Sequence, residues 1–109
     1  MCNIKLPDSL EFIDIDYDIS TIQPNVESAD SGKLAYLCLK KACDMANDNE
    51  IEQIATAPLS KNALHLAGLN YSGQTEILQE YLASNLNEAQ MLFVADNLKI
   101  LLLTMLIII

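Results

Sequence analysis

The chain has 109 residues, 51% of them hydrophobic, enough for one modest core and too few for two independent domains. Fifteen acidic against six basic residues give a net charge of -9, which repels phosphate backbones and anionic lipid over most of the exterior. Nucleic acid is thereby excluded as a partner, although a few helix N-terminal amides can still hold one local anion. The three cysteines, Cys2, Cys38 and Cys43, show no metal or redox spacing, which fits a reducing cytoplasm, and Cys38 and Cys43 read as buried small hydrophobes of a helix.

In chain order, Pro7 and Asp8 interrupt the apolar core that a secretory signal needs. From Leu10 to Ile19 apolar and acidic residues alternate, which predicts a half-exposed strand. Asp14, Asp16 and Asp18 do not make a calcium loop, because Ile19 and Asn25 stand where that loop wants Gly and Glu. Residues 20–32 read as a polar loop. From Ser31 onward Leu34, Leu37, Cys38, Ala42 and Met45 form a helical stripe, with Asp30 or Ser31 as its cap and Asn47 to Glu50 as its end.

Gln53 to Thr56 is a predicted short strand, stopped by Ala57-Pro58. Ser60 then caps a helix from Lys61 to Ala67, and Gly68 ends it. Residues 74–83 carry Ile77, Leu78, Tyr81 and Leu82 at helical spacing. Two apolar strands follow, Met91 to Ala95 and Leu98 to Leu103, separated by the turn pair Asp96-Asn97. The second is apolar enough for burial on both faces of a parallel or mixed sheet. The apolar stretch from Ile100 to Ile109 is about half the roughly 20 residues that a membrane-spanning helix needs, so it reads as buried strand and no membrane partner is expected. Alternating strands and helices make the expected fold class α/β, a single domain over residues 1–109.

Chemistry concentrates where strand ends meet helix starts, in TAPLSKNALHLAGLNYSGQTE from Thr56 to Glu76. Gly73 lets a ligand approach the backbone, Thr75 offers a hydroxyl, and the helix amides behind them favour a phosphate or carboxylate. On spacing alone the plainer readings prevail, Gly73 as a tight turn and Lys61 as a solvated surface residue. His65, the one histidine, has no neighbouring ligand set and reads as structural or exposed.

The ordered blocks TAPLSK, AGLNYSGQTE and LKILLLT, preceded by SADSGKLAYLCLKKA, resemble the 4-hydroxythreonine-4-phosphate dehydrogenases of vitamin B6 synthesis over about Ser28 to Thr104. The resemblance implies NAD-dependent oxidation of 4-phosphooxy-L-threonine, a homodimer, and a divalent metal (Zn, Mg or Co) held by three histidines. It implies part of an isocitrate/isopropylmalate dehydrogenase-like three-layer fold with a mixed sheet. The family's G-H-T-E motif stands here as Gly73, Gln74, Thr75 and Glu76, which makes Gln74 and Thr75 substrate-binding residues, with Lys61 and Gly73 as possible anion contacts.

Two departures accompany the match. Gln74 replaces a histidine with an amide that carries no positive charge, and Leu106 replaces a histidine metal ligand with a side chain that has no lone pair. The other two histidine ligands and most of the nicotinamide-binding region fall, in the family, downstream of Ile109. The expectation is a truncated member, incomplete as a domain and without catalytic or metal residues of its own. It turns over nothing alone and binds neither NAD nor metal alone. The alternative is a non-enzymatic interaction protein that pairs with a full-length paralogue.

Overall fold

The computed structural model describes residues 10–82 and 89–102. Three helices, α1 (Ala29–Asn47), α2 (Lys61–Leu66) and α3 (Gln74–Leu82), precede two strands, β1 (Leu92–Ala95) and β2 (Leu98–Leu101). The chain is α/β, with α2 and α3 both packed on α1 and the strands paired as an antiparallel hairpin.

α1 begins earlier than the sequence suggests, because the cap is Ser28 and not Asp30 or Ser31. The Ser28 hydroxyl accepts from the Ser31 amide at 3.1 Å, and the Ser31 hydroxyl accepts from the Ser28 amide at 3.0 Å. This is a capping box in which a second serine stands where Glu or Gln is usual. Asp30 instead tethers the segment ahead of the helix, accepting from Tyr17 at 3.0 Å and Thr21 at 2.5 Å. At the other end Asn49 takes φ 58, and the amides of Asn49 and Glu50 donate to the carbonyls of Ala46 and Met45, a Schellman closure. α2 closes in the same way with Gly68 at φ 77, its amide on His65 and that of Leu69 on Leu64. Ser60 caps α2 as expected, accepting from the Ala63 amide at 3.1 Å.

The buried face of α1 is Gly32, Tyr36, Leu39 and Cys43, a different stripe from the expected one. Tyr36 and Leu39 join Leu64 and Ile77 in the core, with Leu59, Leu69, Tyr71 and Leu78 packed around them. Gly32, read as loop, lies inside the helix for a steric reason: a Cβ there would sit 2.0 Å from the Ala63 carbonyl oxygen. Lacking one, α1 and α2 approach backbone to backbone. Cys43 is fully buried, and burial pushes its thiol up and away from reactivity, while Cys38 is exposed, contrary to expectation.

Two predicted strands, Leu10 to Ile19 and Gln53 to Thr56, are irregular. Among the described residues neither has a neighbour to complete a ladder, and an alternating pattern alone cannot supply one. The hairpin forms around Asp96-Asn97, with Asp96 at φ 46, but both strands are exposed along their length. The expected burial of the second strand on two faces is therefore corrected: no described element packs on the hairpin. The last residues of that expected strand, 103–109, which include Leu106, lie outside the described residues, as does Cys2. Among the described residues no helix is long and apolar enough to cross a membrane.

Candidate functional site

The stretch singled out in the sequence folds into one corner of the molecule. The end of the irregular segment at Thr56-Ala57, the start of α2 and the start of α3 meet there, because α2 and the turn at residues 69–73 bring α3 back beside the proline. His65 is exposed, with Nε2 3.2 Å from the Tyr71 carbonyl oxygen on that turn.

Lys61 and Gly73, twelve positions apart in sequence, are brought together. A Cβ on Gly73 would lie 3.7 Å from Lys61 Cε and 3.7 Å from a Glu76 carboxylate oxygen. The lysine stem thus passes over the glycine that opens α3, and Thr75 sits half-buried on the first turn behind it. The first amides of a helix have no partner within the helix, and they carry the positive end of its dipole. The exposed Lys61 side chain ends close to this helix start. Glu76 opposes this as the nearest negative charge.

Gln74 is placed differently from a free substrate contact. Its Oε1 accepts from the Thr56 hydroxyl at 2.6 Å, and its Nε2 donates to the Ala57 carbonyl at 2.6 Å. Both ends of the amide therefore latch α3 to the 54–59 segment, leaving one N–H for anything else. Beside this latch is a cleft of about 240 Å³. Ala35, Cys38, Leu39 and Ala42 of α1, residues 54–59 and Gln74 line it.

One residue at this corner carries no signal in the sequence. Glu27 accepts from the Ser60 hydroxyl at 2.6 Å and from the Asn62 amide at 2.7 Å, and these two bonds hold its carboxyl below the usual range. It precedes the cap of α1 in an unremarkable loop, so only the packing of α1 on α2 reveals the contact. Among the described residues no three Cys, His, Asp or Glu side chains converge as a metal-ligand set. The positions to which the resemblance assigns the metal-binding histidines, Leu106 and others downstream of Ile109, lie outside the described residues.

The chain matches the family model of "Pyridoxal phosphate biosynthetic protein PdxA" over residues 3–109. It is 42% identical over 84 residues to the D-threonate 4-phosphate dehydrogenase of Pectobacterium atrosepticum, covering 77% of this chain and 25% of that protein. It is 35% identical over 96 residues to the 4-hydroxythreonine-4-phosphate dehydrogenase of Trichlorobacter lovleyi, covering 88% and 26%. The crystal structure of 4-hydroxythreonine-4-phosphate dehydrogenase from Klebsiella pneumoniae superposes with a TM-score of 0.66 at 36% identity, over 74% of this chain and 24% of that one. The chain spans about a quarter of the length of the curated relatives it matches.

Proposed function

We infer a substrate-holding role for this chain, which belongs to the pyridoxal phosphate biosynthetic protein PdxA family. The substrate is a phosphorylated hydroxy acid of the kind named in its relatives, D-threonate 4-phosphate or 4-hydroxythreonine-4-phosphate, and the reaction it serves is NAD-dependent oxidation of the hydroxyl. The observation that carries this reading is the seating of Lys61 over Gly73 at the start of α3. A phosphate there meets the free amides of the first turn, the Lys61 ammonium as a point charge and the Thr75 hydroxyl as a donor. Gln74 contributes its one spare N–H and otherwise fixes the wall of the site through Thr56 and Ala57.

The 109 residues do not turn over by themselves on this reading. What supports this is in the sequence, where Gln74 and Leu106 stand at two positions to which the resemblance gives histidines. NAD and the divalent ion enter the proposal only as what the family's chemistry needs, and no step is assigned to them here. The exposed hairpin and residues 53–56 take strand positions in a larger three-layer sheet of the isocitrate/isopropylmalate dehydrogenase kind, within a cytoplasmic homodimer. The second reading, pairing with a full-length paralogue, has the exposed hairpin in its favour, and the similarity to dehydrogenases weighs for the first.

Calorimetric titration with D-threonate 4-phosphate, 4-phosphooxy-L-threonine and unphosphorylated threonate tests the reading. The phosphorylated ligands are expected to bind and threonate to bind much more weakly. Equal binding of all three, or of none, overturns the site. Formation of NADH by the 109-residue chain with added divalent metal overturns the claim that it is inactive alone.

A further inference from the structure

The geometry points to Glu27 as a positioning residue that holds Lys61 over the start of α3. This inference rests on the anion site proposed above and adds a residue to it. α2 has six residues, too few for its own hydrogen-bond ladder to fix its first turn. That turn is set from outside. The Glu27 carboxylate takes the Ser60 hydroxyl on one oxygen and the Asn62 amide on the other, so it grips the residues on both sides of Lys61. The Ser60 hydroxyl also accepts from the Ala63 amide, and donating its proton to Glu27 leaves it in the rotamer that caps the helix. Glu27 adjoins Ser28, the cap of α1, so the starts of the two helices are tied together. With the turn locked, the Lys61 stem leaves α2 toward Gly73, where its Cε is found. The lowered carboxyl of Glu27 agrees with a carboxylate that two donors hold in its charged form.

Inorganic phosphate titrated into the full chain at constant ionic strength, followed by the amide NMR signals of Gly73 and Thr75, tests this. Glu27→Ala is expected to weaken phosphate binding about threefold or more, the loss of roughly one net hydrogen bond. Glu27→Gln, which keeps an acceptor for Ser60, restores most of the affinity. A purely electrostatic role gives the opposite sign, because removing a negative charge near the anion tightens binding in both variants. Asn62→Ala removes one arm of the grip while leaving the α2 cap, and weakens binding in the same direction if Glu27→Ala does not fold. Unchanged or tighter binding in Glu27→Ala and Asn62→Ala overturns the role of Glu27 alone. Failure of the wild-type chain to bind phosphate overturns the anion site and the inference with it.

Discussion

Gly32 of α1 faces the backbone of Ala63 in α2 so closely that a Cβ on it would meet the Ala63 carbonyl oxygen at 2.0 Å and the carbonyl carbon at 2.3 Å. The contact sets the distance between the helix that carries the core and the helix that carries Lys61. Alanine favours helix over glycine by about 1 kcal/mol, but forcing a Cβ against backbone this close belongs at the upper end of the roughly 1–3 kcal/mol that overpacking costs. Gly32→Ala is therefore expected to lower stability by ~2 kcal/mol in urea unfolding. A neutral or stabilising effect would show that the helices do not pack this closely.

Leu64 and Ile77 are both fully buried and join α2 and α3 to α1. Leu64→Ala and Ile77→Ala are each expected to cost about 2–5 kcal/mol, as much as the whole stability of a domain at the low end of the roughly 5–15 kcal/mol range. The expected outcome is loss of a cooperative thermal transition. Leu66→Ala is the control, since Leu66 is 55% exposed and its truncation should move the midpoint little.

Ser28 and Asp30 divide two roles at the start of α1, the cap and the tether to residues 17–21, where the sequence alone put the cap at Asp30 or Ser31. Ser28→Ala removes the capping oxygen and should cost about 1 kcal/mol of helix stability. Asp30→Asn keeps the cap, and its measurable effect should fall on the Tyr17 and Thr21 contacts, seen as faster amide exchange in residues 17–21. Equal loss of helix in both variants would contradict this assignment.

Two pH dependences have opposite signs. The Tyr36 phenol is pushed up to about 12 from its ordinary 10.0 by burial and by the Tyr81 hydroxyl. Its folded value lies above the unfolded one, so the stabilisation belongs to the neutral phenol. That stabilisation is complete below about pH 10 and lost as pH rises through about 12. The Glu27 carboxyl is lowered from 4.5 by Ser60 and Asn62, so its contribution is present above that value and fades as pH falls through the lower folded one. Urea midpoints across pH check both, with Tyr36→Phe and Glu27→Gln expected to flatten the alkaline and acid limbs respectively.

What the sequence made legible was local. Ser60 and Gly68 mark the ends of α2 because a cap and a left-handed closure are decided within four residues, and Asp96-Asn97 marks the hairpin for the same reason. The buried face of α1 was not legible, since Gly32 and Tyr36 are inside only because α2 and Tyr81 lie against them. The strands at residues 10–19 and 53–56 failed for the complementary reason, as a strand needs a partner that the described part of this chain does not supply. The TAPLSK and SGQTE blocks, picked out in the sequence, fold against one another at a single corner. The grip of Glu27 and the latching of Gln74 onto Thr56 and Ala57 depend on how three helix starts converge, which no spacing encodes.

The central claim is that Lys61, over the opening amides of α3, holds the phosphate of a phosphorylated hydroxy acid. It is tested most directly by titrating D-threonate 4-phosphate into the wild-type chain and into Lys61→Met. The account predicts saturable binding by the wild type, weakened about tenfold by loss of the charge, with helix content unchanged. Equal affinity in the two proteins would contradict it.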